Sequence, residues 1–327
     1  MAENRQIRIA LAGNPNCGKT TMFNNITGAK QHVGNYAGVT VEKKEGHTNF
    51  DGHELLFIDL PGTYSLTARS LDELVARNVI VNDNPDVIVN VLDASNLERN
   101  LYLAAQLLEL EKPMVIALNM ADVAEEMGIN YDFKKMAELT GATIVSTVGR
   151  TNIGTKELLE ATISVAASQK APGVTVNYGD LLEGKIAELV AALEEAGTVT
   201  YPLRWIAIKL LENDPDVVEK VKGFANTEAV LQKAAAIREE IKDQVDLDIV
   251  FQEYRHRYAV EVYNQSLTQA PKEIETRSDR YDKILTHRIW GLPIFMIVMY
   301  LLFAFVNIVG GIPQGWIEDG FAALQAY

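Results

Sequence analysis

The clearest chemical signature in the sequence is a glycine-rich stretch that directly follows the apolar run IRIALA. Its residues, Gly13, Asn14, Pro15, Asn16, Cys17, Gly18, Lys19 and Thr20, fit the pattern G-x-x-x-x-G-K-[ST]. Glycines permit backbone angles closed to other residues, so successive N–H groups can surround phosphate oxygens at a helix N-terminus. Lys19 would reach the β- and γ-phosphates, Thr20 would place its hydroxyl on Mg²⁺, and Thr21 would follow in the same helix. The stretch predicts a nucleotide site.

A second group of residues is suited to Mg²⁺ and the γ-phosphate. Asp59, Leu60, Pro61 and Gly62 follow the apolar run LLFI, so Asp59 lies at a strand end, where its carboxylate can hold Mg²⁺ through a water. Thr40 lies in the loop VGNYAGVT, after Gly38 and Val39, a placement suited to a threonine that joins Mg²⁺ only when the γ-phosphate is present. Taken singly, Asp-Leu-Pro-Gly is often a turn and threonine a β-former, but their order favours a nucleotide switch.

The base is predicted from the residues Asn119, Met120, Ala121 and Asp122 at the end of another apolar run. A carboxylate accepts both N1–H and the 2-amino N–H of guanine, and adenine offers neither pairing. Asp122 therefore favours GTP over ATP, although such a tetrapeptide alone is often a helix N-cap. Ser146, Thr147 and Val148 follow a later apolar run and are the candidates for the last loop around the base.

Short apolar runs that alternate with amphipathic stretches must position these residues. The runs are 7–13, 54–60, 86–94, 113–120 and 142–147, rich in Val and Ile without polar alternation, as in strands buried on both faces of a parallel sheet. The alternation predicts a doubly wound, mostly parallel α/β domain. The segment FDGHE carries an Asp-Gly hairpin signal and predicts one antiparallel edge strand.

Composition narrows the function classes. A net charge of −14 argues against a nucleic-acid partner, which normally meets a basic face. The single cysteine, Cys17, excludes an intrachain disulfide, and the N-terminus has no apolar segment of a secretory signal. Residues 169–180 read as a linker, and 181–268 show helical periods throughout, including one apolar face formed by Leu247, Phe251, Tyr254, Tyr258 and Val262.

The C-terminal part contains an uncharged apolar run from Ile289 to Val309, long enough to span a bilayer as a helix. The alternative is a buried core helix. Basic residues precede the run (Lys272, Arg277, Arg280, Lys283 and Arg288), whereas Glu318 and Asp319 follow it. By the positive-inside rule residues 1–288 face the cytoplasm, with the span in contact with membrane lipid; the resemblance described next implies a bacterial inner membrane.

With these motifs in hand, the chain resembles the N-terminal part of the FeoB family of bacterial ferrous-iron transporters. The likeness rests on GNPNCGKTTMFN, VGNYAGVTVEKKEG, DLPGTYSL and NMAD, and continues through YPLRWIAIKLLEND into HRIWGLPIFMIVMYLLF. It implies a P-loop GTPase domain (1–168), a linker (169–180), a helical domain resembling a dissociation inhibitor (181–268), a juxtamembrane segment (269–288), a transmembrane helix (289–309) and the start of an extracytoplasmic segment (310–327).

The resemblance also implies cofactors and partners. GTP or GDP and Mg²⁺ would bind as described, and Asn16 would help hold a K⁺ ion that assists hydrolysis, with backbone carbonyls from Gly34, Asn35 and Tyr36. Fe²⁺ would be the ion carried by a membrane part that follows. A small cytoplasmic regulatory protein and a homo-oligomer are further expected partners. Lys19, Asn16 and Thr40 would carry catalysis.

Three departures from the family pattern matter. Cys17 stands where many members have serine, and is read either as a space-filling side chain or as a sensor thiol. Met120 replaces a common lysine, and Val148-Gly149 replaces Ser-Ala in the last guanine loop. No glutamine lies near Thr63 and Tyr64 to orient the attacking water, so we expect slow intrinsic hydrolysis.

Two rival functions stay open at this point. A cytoplasmic GTPase of ribosome assembly or tRNA modification shares the Asn-bearing loop, but the run 289–309 and the acidic charge count against it. A membrane-anchored signalling switch without transport is the other. The five histidines, His32, His47, His53, His256 and His287, have no metal-ligand spacing.

Overall fold

The computed structural model describes residues 6–28, 31–36, 39–67, 69–197, 199–270 and 284–325. These fall into two units, the first ending at Pro271 and the second running from Lys272 to Tyr327. Gly38, a predicted nucleotide contact, and the predicted cytoplasmic anchors Lys272, Arg277, Arg280 and Lys283 lie outside the described residues.

A seven-stranded sheet forms the centre of the first unit, in the order β2-β3-β4-β1-β5-β6-β8. Its seven strands are β1 (Ile7–Gly13), β2 (Gln31–Asn35), β3 (Glu42–Phe50), β4 (His53–Asp59), β5 (Val87–Asp93), β6 (Met114–Asn119) and β8 (Thr143–Ser146). Strands β7 (Asn130–Tyr131) and β9 (Leu267–Gln269) form a separate two-stranded sheet. All neighbours from β4 to β8 pair in parallel, whereas β3 pairs antiparallel with β4 and with β2. The α/β class, the five predicted runs and the Asp-Gly hairpin are confirmed.

Strand β2 is an addition that the sequence did not predict. The stretch VGNYAGVT is predicted as a loop, yet its first three residues belong to β2, which pairs with β3 in the register Gln31 to Gly46. The segment QHVGN has no apolar alternation, and most of its residues are exposed. The strand therefore exists because β3 offers it an open edge rather than because of its own composition.

Helices cover both faces of the sheet and then continue alone. The first group is α1 (Lys19–Thr27), α2 (Leu71–Asn82), α3 (Leu97–Leu108), α4 (Ala121–Glu126), α5 (Phe133–Thr140) and α6 (Thr155–Ser168). After a helix-free stretch come α7 (Gly179–Ala196), α8 (Leu203–Leu211), α9 (Pro215–Lys222), α10 (Glu228–Ile241) and α11 (Leu247–Ser266). This second group is the predicted helical region, except that residues 267–269 form β9.

The helical region packs directly on the α/β part. Helix α11 lies along α3, and Phe251 and Val262 on its predicted apolar face are buried. The same face carries Arg255, which is fully buried and bonds Glu109, the residue that directly follows α3 (Nε to Oε1, 2.6 Å). On the other side, Arg77 of α2 bonds Asp214 (2.5 Å) and Asp216 (2.6 Å) at the start of α9. The two parts therefore share one core.

The second unit is a helix, α12 (Gly291–Gln325). Its part from Gly291 to Val309 is long and apolar enough to cross a membrane by length and composition, and is the one such helix among the described residues. None of this apolar stretch is buried in the structure, which argues against a core helix. The helix continues past Val309 to Gln325, and which side of a membrane that end occupies stays a prediction.

Candidate functional site

The glycine-rich stretch forms a tight loop between β1 and α1. Asn16 and Gly18 adopt left-handed backbone angles (φ 67° and 86°), which turn the chain into the helix that begins at Lys19. A Cβ at Gly18 would lie 2.2 Å from Nδ2 of Asn119, so only glycine fits there. The loop thus has the conformation predicted for phosphate binding, at a helix N-terminus.

Lys19, Thr20 and Asp59 meet where β1 and β4 end side by side. The Lys19 ammonium donates to the Asp59 carboxylate and to the Leu60 carbonyl, and both charged side chains are buried. Thr20 Oγ1 lies 3.5 Å from Asp59 Oδ2. A hydroxyl and a carboxylate at this spacing are the oxygen donors that Mg²⁺ prefers, so these residues fit the predicted ion.

Two cavities adjoin this cluster. One of 520 Å³ is lined by Lys19, Thr20, Thr40, Asp59 and Gly62, among others. Another of 540 Å³ is lined by Asn14, Pro15, Asn16, Gly18, Lys19, Thr20, Thr21, Gly62 and Met120. Gly62 belongs to both, and a Cβ there would lie 3.3 Å from Pro15 Cα. The structure therefore brings the predicted γ-phosphate residues and the phosphate loop to one place.

Asn119 joins the three segments predicted to surround the base. Its Nδ2 donates to the Cys17 carbonyl (2.8 Å), and its Oδ1 accepts from the Gly149 N–H (2.8 Å) and the Thr147 hydroxyl (3.4 Å). Asn119 is itself buried. The Asn119 side chain therefore ties the phosphate loop to the 146–150 loop, a contact that the spacing of motifs alone did not reveal.

Asp122 lies in the first turn of α4, after Met120 in a left-handed conformation (φ 59°). Thr147 and Val148 are buried, and Ser146 ends β8. The residues beyond them, Gly149 and Arg150, were not among the predicted site residues. Arg150 Nη2 nevertheless donates to Asp122 Oδ2 at 3.1 Å. The sequence signals were the alignment of Val148-Gly149 with the last guanine loop and, for Arg150, its place directly after that pair.

Cys17 is buried against the loop it belongs to, with 1% exposure. Burial raises the pKa of its thiol to about 11, despite the lowering effects of the Lys19 backbone N–H and the Lys19 charge. The thiol is therefore protonated at neutral pH, which supports the space-filling interpretation over the sensor one.

The residues proposed to hold K⁺ differ in their exposure and in their hydrogen bonds. Asn16 is exposed at the loop surface. Gly34 and Asn35 belong to β2, and the Tyr36 carbonyl accepts the Val39 N–H (3.2 Å). An exposed amide oxygen beside the phosphate loop fits an alkali cation, whereas the Tyr36 carbonyl is already engaged by its own loop.

The segment after Gly62 is held by neighbours on α3. Arg99 places its guanidinium 4.2 Å from the centre of the Tyr64 ring. Gln106 accepts the Leu66 N–H, and Thr63 Oγ1 donates to the Ser65 carbonyl (2.6 Å). No glutamine occurs between Leu60 and Thr67.

Among the described residues, no group of three or more His, Cys, Asp or Glu could hold a metal ion.

Comparison with known proteins identifies the family. A model of ferrous iron transport protein B matches residues 7–162, and one of the FeoB cytosolic helical domain matches 178–268. The solved cytosolic domain of the T. maritima FeoB iron transporter, in a GDP form, is 31% identical with a TM-score of 0.70, over 81% of this chain and 99% of that one. The chain belongs to the FeoB family. The α/β part and the helical region of this chain therefore correspond to the GTPase domain and the cytosolic helical domain of FeoB proteins.

Other FeoB relatives agree. The T. maritima cytosolic domain was also solved in a GMPPNP form (31% identity, TM-score 0.70, over 80% of this chain and 99% of that one). Among curated proteins, the Fe(2+) transporter FeoB of Escherichia coli strain K12 is 37% identical over 98% of this chain and 41% of its own length. A Porphyromonas gingivalis fusion of Fe(2+) transport protein A with FeoB is 38% identical over 96% of this chain and 38% of its own length. The chain therefore spans about two fifths of these curated relatives.

Proposed function

We propose that the chain is the GTP-binding and GTP-hydrolysing N-terminal portion of a bacterial ferrous-iron transporter, whose nucleotide state regulates a membrane channel. One observation carries this proposal: in a FeoB chain, the phosphate loop, Asp59 and the Asn119–Asp122 segment come together at the carboxyl ends of the inner strands β1, β4 and β6. The GDP and GMPPNP forms of the T. maritima relative support the choice of nucleotide.

In this proposal the loop N–H groups at Gly13–Thr20 bind the phosphates, with Asn14, Pro15 and Cys17 shaping the loop. Lys19 leaves Asp59 for the β- and γ-phosphates, which frees the carboxylate for Mg²⁺. Mg²⁺, held by Thr20, Asp59 and Thr40, would neutralise charge at the bond that breaks. Gly62 contributes its N–H to the γ-phosphate, while Leu60 and Pro61 hold that N–H in place.

Base selection provides the first test. Asp122 would accept N1–H and the 2-amino N–H of guanine. In asparagine one acceptor oxygen is replaced by an NH₂ donor and the charge is lost, so one bond is lost and the other is no longer charge-assisted. We expect D122N to weaken GDP binding by about 100-fold or more and to bind xanthosine diphosphate in its place, because each charge-assisted bond contributes about 1.5–3 kcal/mol. Calorimetry of the 327-residue chain in detergent with GDP, XDP and ADP measures this. A native preference for ADP, or no binding of GDP, would overturn the proposal.

Hydrolysis is proposed to be slow and assisted by K⁺ at Asn16. With no glutamine beside Thr63, backbone groups of the Thr40 loop must position the water. We expect GTP turnover in KCl to exceed that in NaCl at the same ionic strength by about tenfold or more, the size expected for one added charge at the transition state. N16A should lose this difference but keep GDP binding. Equal rates in the two salts would exclude the ion.

Transport and location are proposed at the level of the longer protein. Residues 1–288 would face the cytoplasm, with α12 in lipid of the inner membrane and Fe²⁺ carried by membrane segments beyond this chain. The Porphyromonas gingivalis fusion supports a small cytoplasmic partner, and a homo-oligomer is proposed from the resemblance alone. Family membership favours transport over the two rival GTPase functions. Iron uptake by the whole transporter carrying D122N, rescued by XTP, tests whether the bound base drives it.

A further inference from the structure

Both carboxylates assigned to the nucleotide site are paired with basic side chains of the chain itself. Asp59 is bound by Lys19, which the phosphate-binding role of that lysine explains. Asp122 is bound by Arg150, from 28 positions further along the chain. No role in the proposed mechanism accounts for this second pair.

Hydrogen bonds hold the backbone next to Arg150, whereas the Arg150 side chain is mostly exposed. Gly149, the residue before Arg150, donates its N–H to Asn119 (2.8 Å), and its carbonyl accepts from Asn25 Nδ2 of α1 (2.5 Å). These two bonds hold the backbone next to Arg150, whose side chain contacts Asp122. The Arg150 side chain itself is 80% exposed, whereas that of Asp122 is 28% exposed. The guanidinium can therefore leave Asp122 without disturbing the loop.

The chemistry of the two donors is closely matched. A guanidinium presents parallel N–H groups to a carboxylate. The edge of guanine that Asp122 would recognise, N1–H with the 2-amino group, presents the same arrangement. One carboxylate at the mouth of a pocket cannot serve both fully, so Arg150 and guanine compete for Asp122.

We propose that Arg150 is an internal competitor of the guanine base and thereby lowers the affinity of the site for guanine nucleotides. This inference rests on the proposed function, because it concerns the same pocket. In the free site Arg150 occupies Asp122, and the base binds only after the guanidinium has moved out. The Asp122–Arg150 pair thereby sets the fraction of nucleotide-free molecules in which Asp122 is available to the guanine base.

The test compares R150A with the native chain, using the 327-residue protein in detergent and GDP labelled with a methylanthraniloyl group. An exposed ion pair is populated by a small factor over its open form, so we expect R150A to bind about two- to sixfold more tightly. The gain should appear in the association rate, since the free site no longer has to open, and the dissociation rate should stay unchanged.

The matched control is K156A, which removes the same charge from α6, where Lys156 lies 3.7 Å from Glu160. It should leave both rates unchanged. In a D122N background, measured with xanthosine diphosphate, R150A should have no effect, because the carboxylate for which Arg150 competes is gone. R150Q serves if R150A does not fold.

Three results would overturn the competitor role. R150A would bind GDP more weakly if Arg150 contacts the bound nucleotide. Equal effects of R150A and K156A would indicate a general charge effect, and an effect that persists in D122N would place the action of Arg150 elsewhere. If the native chain binds no GDP, the proposed function fails as a whole, a result distinct from native binding that R150A leaves unchanged.

Discussion

Burial separates Cys17 from the reactivity that a thiol at a helix N-terminus would otherwise have. With the pKa of the thiol raised to about 11, the thiolate fraction at pH 8 is about 100-fold or more below that of an exposed cysteine near pKa 8.5. The folded state holds the proton more tightly. The stabilising contribution of this burial is therefore complete below about pH 8.5 and is lost as pH rises towards 11.

This predicts a slow reaction with alkylating reagents. In the native chain, iodoacetamide at pH 8 should modify Cys17 at least about 100-fold more slowly than in urea, as measured by mass spectrometry of the intact protein. C17S provides the blank. Fast labelling of the folded chain would return Cys17 to the sensor interpretation.

Between elements, the α3–α11 contact depends on buried charge. Arg255 bonds Glu109 through Nε (2.6 Å) and Nη2 (3.0 Å), and Glu212 through Nη1 (2.5 Å). Lys209 also reaches Glu212 (2.6 Å), and Tyr178 donates to Glu109. Each buried charge has an opposite partner, which is the condition under which burial is tolerated.

Removing Arg255 should therefore be costly. R255M leaves Glu109 buried without its opposite charge and removes one of the two cations beside Glu212, and we expect a loss of about 3–5 kcal/mol in the free energy of unfolding. The control is R257M on the same helix, where the exposed Arg257 lies over the Tyr254 ring (4.6 Å), with a loss below about 1 kcal/mol. Urea unfolding followed by the fluorescence of buried Trp205 measures both. Equal losses would show that α11 is not held by this network.

Acid should weaken the same network. Burial alone would raise the pKa of Glu212, yet the charges of Lys209 and Arg255 lower it to about 2. The pKa of an unfolded glutamate is about 4.3, so this stabilisation is complete above that value and is lost as pH falls towards 2. The difference in urea midpoint between the native chain and E212Q should narrow between pH 5 and pH 3. A constant difference would contradict the lowered pKa.

Across the molecule, the ribbon of β7 and β9 links the base site to the segment that leads towards α12. Strand β7 comes just after α4, which begins beside Met120 of the guanine motif. Asn130 pairs with Gln269, the Asp132 N–H donates to the Ser266 carbonyl (2.7 Å), and the Thr268 hydroxyl donates to the Asn130 carbonyl (2.9 Å). The ribbon therefore joins the segment that follows α4 to the residues that follow α11.

Hydrogen exchange tests this route. If base binding stabilises α4 and the ribbon that follows it, GDP should slow amide exchange at Leu267–Gln269 severalfold, whereas exchange in α10 should not change. If GDP binds and exchange at 267–269 does not change, the ribbon does not respond to the bound nucleotide.

The sequence by itself determined the parts whose determinants are contiguous. The phosphate loop could be predicted because its glycines, Lys19 and Thr20 lie close together in the sequence, between Gly13 and Thr20. The parallel strands could be predicted because burial on both faces demands apolar runs. Asp59 and Asp122 followed from their places at strand ends.

Tertiary structure alone decided what depends on partners far along the chain. Arg255 lies on an apolar helix face and can be buried there because Glu109, 146 residues away, and Glu212, 43 residues away, neutralise it. Strands β2, β7 and β9 form because a neighbouring edge accepts them, and Asn119 and Arg150 reach their partners through loops that close in space. Local secondary-structure propensity does not predict such contacts, because their free energy comes from groups that only the folded chain brings together.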